Sequence, residues 1–100
     1  MRVINLKSIQ DFSLRHPDAE VALRAWTEEA RQAEWKTPQD IKDRYSSASF
    51  LKGNRVVFKI RGNQYRLIVG VAYRLQAVYV KFIGTQAQYD AVDADTINME

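Results

Sequence analysis

The chain contains no cysteine and a single histidine. Disulfide bonds, iron–sulfur clusters and cysteine-ligated zinc are therefore excluded. With one histidine and no clustered carboxylates, we expect neither a serine-hydrolase nor an aspartic-protease site, and no metal centre. His16 precedes Pro17, and we expect it to be a surface histidine in a loop well away from the sheet that carries the basic residues, and not a catalytic one.

Long apolar runs are also missing. No stretch approaches the roughly 20 apolar residues that a membrane-spanning helix needs, and the start, MRVINLKSIQDF, lacks the apolar run of a signal peptide. We therefore expect a soluble cytoplasmic protein that does not associate with membranes. A chain of 100 residues, 46% of them apolar, predicts one domain over residues 1–100 with a modest core.

Acidic residues are absent between Asp43 and Asp90. This stretch has a net charge of +8, whereas the remaining residues, with twelve acids and seven bases, have a net charge of −5. The basic stretch also contains seven Phe or Tyr residues from Phe50 on. Because Lys and Arg neutralise phosphates and aromatic rings stack on bases, the segregation favours a polyanion as partner. An acidic protein would fit the same charge pattern. The eight cations are Arg44, Lys52, Arg55, Lys59, Arg61, Arg66, Arg74 and Lys81.

The first half of the sequence has helical spacing. Residues 2–5 predict a short strand, and three helices should follow, with Ser8 and Thr37 as caps of the first and third. Trp26 and Trp35 share the spacing of the second helix and are expected to be core anchors. The three helices are predicted at 8–16, 18–35 and 37–45.

The second half alternates between apolar and other residues with a period of two. The alternation predicts strands at 56–61, 66–73 and 78–83, joined by connections too short for crossover helices. The expected fold class is α+β, with N-terminal helices packed on one face of a mainly antiparallel twisted sheet. Alternation also places Lys59 and Arg61 together opposite the core, and Tyr79 and Lys81 opposite Val80 and Phe82.

The densest polar cluster is FKIRGNQYRL at residues 58–67. Lys59, Arg61 and Arg66 could converge across this hairpin on one anion, with Asn63 and Tyr65 adding hydrogen bonds. The same residues could equally belong to a solvated hairpin whose charges protect strand edges. The local pattern does not decide between these readings.

Residues 83–90, IGTQAQYD, follow the last predicted strand. Thr85 could cap a short helix and place Tyr89 one turn further on. The segment could line a cleft, although an ordinary strand-to-helix turn is the simpler interpretation. The acids beyond it are expected in a solvated tail and not in a metal site: Asp90, Asp93 and Asp95.

Three pieces of this sequence together resemble the HigB toxins, which are type II toxin–antitoxin components within the RelE-like group. These pieces are RVVFKIRGNQYRL at 55–67, VYVKFIGT at 78–85, and the pair Tyr89-Asp90. The resemblance extends over most of the chain and implies a RelE-like fold. It also implies an endoribonuclease without cofactor that cuts mRNA, commonly on the translating ribosome. The expected partner is a HigA-like helix-turn-helix antitoxin, which would provide the only link to operator DNA.

The resemblance also implies roles for particular residues. Lys59 and Arg61 match basic residues that contact RNA, Arg66 matches the arginine that stabilises the scissile phosphate, and Tyr89 matches a catalytic tyrosine. Lys59 is in addition a candidate acid. Further candidates for RNA contact are Lys52, Arg55, Asn63, Tyr65, Tyr79 and Lys81.

One position departs from the family pattern. HigB toxins of this kind usually read Gly-Thr-His-x-x-Tyr-Asp, and Gln86 stands where the histidine is expected. Glutamine can form hydrogen bonds but cannot carry a proton near neutral pH, so we hypothesise that Gln86 lowers activity. The alternatives are a noncatalytic RNA-binding module and a module that docks an antitoxin or another acidic partner, each with an impaired active site.

Overall fold

The computed structural model of the chain describes residues 1–99, in which helices come first and most strands follow. The expected α+β architecture is thereby confirmed. Short 3-10 turns at Pro17–Ala19 and Lys52–Asn54 precede α2 and β3. The helices of the described residues are α1 Leu6–Arg15, α2 Glu20–Gln32, α3 Pro38–Arg44 and α4 Gln86–Asp90. The strands are β1 Arg2–Ile4, β2 Ser49–Leu51, β3 Arg55–Ile60, β4 Tyr65–Ala72 and β5 Ala77–Thr85.

The strands form one sheet with the order β1-β5-β4-β3-β2. Strands β2 to β5 pair antiparallel through short connections, and β1 joins parallel to β5. The prediction of a mainly antiparallel sheet is therefore confirmed. Strand β2 was not predicted, although β1, which is equally short, was predicted at residues 2–5.

The helix boundaries differ from the expected ones at two places. Helix α1 begins after Asn5, which adopts φ 71° and donates its side-chain N–H to the Val80 carbonyl at 3.1 Å, so Ser8 is not its cap. Helix α2 ends at Gln32, so Trp35 lies outside it, yet Trp35 and Trp26 are both buried against Phe58 as expected. No helix within residues 1–99 has the length and apolar character needed to cross a bilayer.

Helix α3 begins as predicted. The Asp40 N–H donates to the Thr37 hydroxyl at 3.3 Å, and the Asp40 carboxylate accepts from the N–H groups of Lys36 and Thr37. These two backbone donors hold the pKa of Asp40 below its ordinary value. The reciprocal bonds satisfy N–H groups that a helix start would otherwise leave free.

The sheet has two differently covered sides. On the first, here called the helix face, α1, α2 and α3 bury the alternating apolar residues of β3, β4 and β5. On the second, here called the tail face, Val57, Ile68 and Phe82 form a smaller cluster. Residues 91–99, here called the C-terminal segment, cover that cluster with Val92, Ala94 and Ile97. The acids Asp93 and Asp95 of this segment are exposed as expected, but the three apolar residues named above are half-buried against the sheet.

A β-bulge in β5 overturns one prediction. Ile68 pairs with Phe82, but its neighbour Val69 pairs with Val80, so Lys81 is an extra residue between them. The bulge shifts the alternation by one, and Phe82 therefore lies on the tail face while Ile83 joins the core of the helix face. Strict alternation had predicted that Phe82 lies on the same face of the sheet as Val80.

Candidate active site

Two predicted cations stand side by side on the tail face. Lys59 of β3 pairs with Arg66 of β4, and Arg66 pairs in turn with Gly84 of β5. Residues directly opposite each other in a sheet point to the same side, with Cβ atoms about 4.5–5.5 Å apart in an antiparallel pair. These three residues form a line across the sheet, here called the cross-strand row, and two of its members are positively charged.

Arg66 is buried, with 8% of its surface exposed. Its Nη1 donates to the carbonyls of Asn63 at 2.8 Å and Tyr65 at 3.2 Å. Its guanidinium carbon lies 5.9 Å from the centre of the Tyr89 ring. Among residues 1–99 no carboxylate forms an ion pair with Arg66. The buried positive charge therefore has polar and aromatic neighbours but no neutralising one.

Helix α4 lies directly over the end of β5, and Gly84 makes this approach possible. A Cβ at Gly84 would come within 2.5 Å of Phe82 Cζ and 2.8 Å of Gln88 Oε1. Thr85 caps α4 as predicted: its hydroxyl accepts from the Gln88 N–H at 3.1 Å, and the Gln88 side chain accepts from the Thr85 N–H at 2.8 Å. A larger residue at position 84 would push α4 away from the cross-strand row.

Helix α4 carries both Tyr89 and Gln86 to this end of the sheet. The half-buried Tyr89 ring packs on the cluster of Val57, Ile68 and Phe82 and faces Arg66. Gln86 is exposed at the start of α4, and its N–H donates to the Gln64 carbonyl of the β3–β4 turn at 3.2 Å. The structure therefore gathers the four residues predicted to be catalytic at one end of the tail face: Lys59, Arg66, Gln86 and Tyr89.

Arg61 does not join them, contrary to the prediction that it shares a face with Lys59. Strand β3 ends at Ile60, and Arg61 enters the turn with φ 53°. Its guanidinium forms an ion pair with Asp18 at 3.1 Å and a hydrogen bond with Gln64. The turn reverses the alternation, so Arg61 points to the helix face.

Tyr65 and His16 also lie on the helix face. The Tyr65 hydroxyl donates to the Asp18 carboxylate at 2.7 Å, and this hydrogen bond raises the pKa of Tyr65. Its ring packs edge-on against Phe12 and against His16. His16 lies in the loop after α1, as expected, and stacks on Phe12 at 4.2 Å. The expectation that it lies well away from the sheet is wrong, because its ring contacts Tyr65 of β4.

The remaining candidates for RNA contact are spread over the molecule. Arg55 donates to the carbonyls of Ala94 and Ile97, and so contacts the C-terminal segment. Lys52 lies before β3, at the opposite end of that strand from Lys59. The Lys81 ammonium lies 5.6 Å from the centre of the Tyr79 ring, beside the bulge. Asn63 is exposed in the β3–β4 turn, where its carbonyl accepts from Arg66.

The sequence analysis did not predict the close approach of α4 at Gly84 or the packing of the C-terminal segment on the sheet. A glycine inside a strand and next to a helix cap is a signal of close backbone approach, and it was available. The apolar residues of the segment alternate with acids, which hid their burial. In the part of the chain that the structure describes, no group of three or more His, Cys, Asp or Glu side chains is arranged to hold a metal.

Comparison with known proteins agrees with the resemblance to the HigB toxins. A family model described as the HigB toxin, a RelE-like toxic component of a toxin–antitoxin system, matches residues 19–92. The mRNA interferase toxin HigB of Escherichia coli strain K12 is 25% identical over 92 residues, which cover 90% of this chain and 88% of that protein. The mRNA interferase HigB of Shigella flexneri matches to the same extent. Residues 19–92 include the cross-strand row and helices α2, α3 and α4, and the chain belongs to the HigB toxin family.

Proposed function

We propose that this toxin is an endoribonuclease that cuts mRNA at the cross-strand row without a metal ion. The observation that carries the proposal is Arg66, a buried guanidinium beside Tyr89 with no carboxylate partner in residues 1–99. Burying a charge without an opposite charge is unfavourable. A phosphate brought by a ligand would supply that charge, and a guanidinium suits phosphate geometry.

The pairing of Lys59 with Arg66 supports the same conclusion. Like charges directly opposite in a sheet destabilise it, and neither cation forms an ion pair within the described residues. An anion between them would turn the repulsion into two attractions. A phosphodiester seated on the row would therefore contact both side chains.

The reaction begins with attack of the RNA 2′-hydroxyl on the adjacent phosphorus. The bond from phosphorus to the 5′-oxygen breaks, leaving a 2′,3′-cyclic phosphate or its opened product. Negative charge grows on the free phosphate oxygens in the transition state. Preorganised donors stabilise such charge strongly, and Arg66 is held in place by the carbonyls of Asn63 and Tyr65.

Two proton transfers accompany the reaction: a base takes the proton of the attacking 2′-hydroxyl, and an acid gives a proton to the leaving 5′-oxygen. The Tyr89 hydroxyl is the proposed acid or base, and Lys59, exposed next to Arg66, is a second candidate acid. Gln86 can orient the RNA by hydrogen bonds but cannot exchange a proton. We infer that the activity is lower than it would be with a histidine at this position.

We further propose that the substrate is mRNA on the translating ribosome, in the cytoplasm. The names of the relatives, mRNA interferases, support mRNA. The contacts of the other cations support the ribosome, because Arg61 and Arg55 are bound to other parts of the protein and are not placed beside the row to hold a flexible RNA. The ribosome would supply the missing orientation.

Membership of this family implies an antitoxin partner. We propose a HigA-like helix-turn-helix protein, through which the toxin would reach operator DNA indirectly. A small helix-turn-helix protein encoded by the neighbouring reading frame would support this assignment.

The test is cleavage of end-labelled mRNA with and without ribosomes in a magnesium buffer, which keeps the ribosome assembled, with excess EDTA added only to a matched sample without ribosomes. We expect strong cleavage in the ribosome sample, and weak cleavage without ribosomes that EDTA does not change. Cleavage abolished by EDTA would contradict the metal-free mechanism. Binding of intact RNA with a steep salt dependence, and no cleavage in either sample, would instead favour the noncatalytic RNA-binding module.

A further inference from the structure

The C-terminal segment crosses the tail face beside the proposed catalytic residues. It leaves α4 directly after Tyr89 and Asp90, and Val92, Ala94 and Ile97 pack on the same cluster that supports the Tyr89 ring. The backbone turns at Asp93, whose carbonyl accepts from the N–H groups of Thr96 and Ile97. The position of Tyr89 therefore depends on how this segment is held.

A single guanidinium nitrogen holds the middle of the segment. Nη1 of Arg55 donates to the Ala94 carbonyl at 3.1 Å and to the Ile97 carbonyl at 2.7 Å. Hydrogen bonds from a charged donor are roughly twice as strong as neutral ones. Arg55 is half-buried at the start of β3, four residues along the strand from Lys59, which pairs with Arg66.

A second attachment lies at the edge of the sheet. Strand β1 pairs with β5 only along Ala77, Val78 and Tyr79. Beyond them the Met99 N–H donates to the Lys81 carbonyl at 3.0 Å, and the Ile83 N–H donates to the Met99 sulfur at 3.3 Å. The segment is thus tied to β3 by Arg55 and to β5 by Met99, with the cluster beneath Tyr89 between the two.

We propose that Arg55 is a positioning residue, which acts on the reaction through the C-terminal segment and α4 and does not contact RNA. This inference rests on the proposed nuclease function. Releasing Ala94 and Ile97 would loosen Val92 and the cluster, so the Tyr89 ring would lose its fixed place beside Arg66. The sequence had placed Arg55 among the RNA contacts, a role in which its charge alone would matter.

The test compares Arg55→Lys with wild type and with Arg74→Gln. Lysine keeps the charge but lacks the planar fork, and Arg74 is an exposed cation in the β4–β5 turn, at the same end of the sheet as Arg55. For Arg55→Lys we expect kcat to fall about 10- to 100-fold with KM for the RNA unchanged, because a misplacement of about 1 Å can have an effect of that size. Arg74→Gln should match wild type in both constants.

Amide hydrogen exchange provides a readout that does not require cleavage. In Arg55→Lys, exchange should become faster at α4 and in residues 91–99, while the helix face and the unfolding temperature stay as in wild type. A variant with unchanged exchange would overturn the proposal, as would one with normal kcat. If Arg55→Gln raises KM while Arg55→Lys restores it, Arg55 is an RNA contact and the inference is wrong.

The same measurements separate this inference from the proposed function. If the wild-type protein does not cleave RNA, the nuclease function fails. Hydrogen exchange at α4 and in residues 91–99 still shows whether Arg55 holds them, and unchanged exchange in Arg55→Lys rejects the inference.

Discussion

The two faces of the sheet differ in what they bury. Within residues 1–99 the helix face carries a core of twenty buried residues, whereas the cluster on the tail face has three. Tyr65 and Arg66, neighbours in β4, show the consequence. Tyr65 donates a hydrogen bond to Asp18 on the helix face, whereas Arg66 lies beside Tyr89 on the tail face without an ion-pair partner in residues 1–99. The first face supplies stability, which allows the second to keep an uncompensated charge.

The largest expected effect is on stability, from Phe58→Ala on the helix face. Phe58 is 1% exposed and contacts the rings of Trp26, Trp35 and Tyr45. Its truncation should lower the free energy of unfolding by about 3–5 kcal/mol, measured by urea denaturation. The cleavage rate per folded molecule should stay near that of wild type. A large loss of cleavage rate per folded molecule would show that a change on the helix face disturbs the proposed site on the tail face.

Arg66→Ala tests the opposite face. We expect the cleavage rate to fall by about 10²–10³, equivalent to about 2.7–4 kcal/mol of transition-state stabilisation. Stability should change little, because removing a buried charge without a partner offsets the lost packing. Single-turnover cleavage and thermal unfolding measure the two quantities. Arg66→Lys, which keeps the charge but not the planar fork, should retain part of the activity, and an unchanged rate in Arg66→Ala would contradict the proposed mechanism.

Gly84→Ala should disturb the contact between α4 and β5. The added methyl group would lie 2.5 Å from Phe82 Cζ, and overpacking of this kind destabilises by about 1–3 kcal/mol. We also expect slower cleavage, because α4 carries Tyr89. Gly70→Ala is the matched control, since a methyl group there would meet Lys81 Cε at an ordinary 3.5 Å. Equal stability of both variants would disprove the close packing at Gly84.

Gln86→His should raise the cleavage rate. Histidine can exchange a proton near neutral pH, whereas glutamine cannot. The gain in cleavage rate should be smaller than the factor of about 10²–10⁴ that general acid–base catalysis typically contributes, because Tyr89 remains in place. A pH–rate profile should show a new titration near the ordinary pKa of histidine, about 6.5. Equal rates for the two proteins would remove position 86 from the mechanism.

The smallest effect is expected for Tyr65→Phe, which removes the hydrogen bond to Asp18. This bond raises the pKa of Tyr65 above its ordinary value of 10.0, so its contribution to stability is fully present below pH 10. Above that pH the unfolded chain loses the proton first, and the advantage of wild type over the variant should shrink. Urea denaturation at pH 8 and at higher pH measures the difference. A difference that grows with pH would contradict the assigned hydrogen bond.

The alternation in the sequence predicted most of the core. Val56, Phe58 and Ile60 lie on the helix face as expected, because side chains in a strand must alternate. The prediction was wrong at Arg61 and Phe82, where a turn and a bulge each break the alternation. At Arg61 the following Gly62, which adopts φ 67°, was a local signal of the turn. The bulge lies next to Val80, whose carbonyl accepts from the side chain of Asn5, and a partner so distant in the sequence leaves no local signal.

The candidate site, like the core, could be predicted from the sequence only in part. Lys59, Arg66, Gln86 and Tyr89 were named from the sequence, and they lie together at one end of the tail face. Whether these four residues catalyse cleavage stays a prediction. The burial of Arg66 and the contact between Arg55 and the C-terminal segment could not be read from the sequence, because carbonyl acceptors carry no residue-specific signature.

The sequence alone determined the α+β order, the segregation of charge and the residue types available for chemistry, since composition and periodicity are properties of the chain itself. Only the tertiary structure decided which cations converge. Lys59 and Arg66 meet because β3 and β4 pair in one register, while Arg61 turns towards Asp18 and Arg55 holds residues 94 and 97. Cations of one sequence stretch thus come to lie on different sides of the sheet, because strand register and turns set the direction of each side chain.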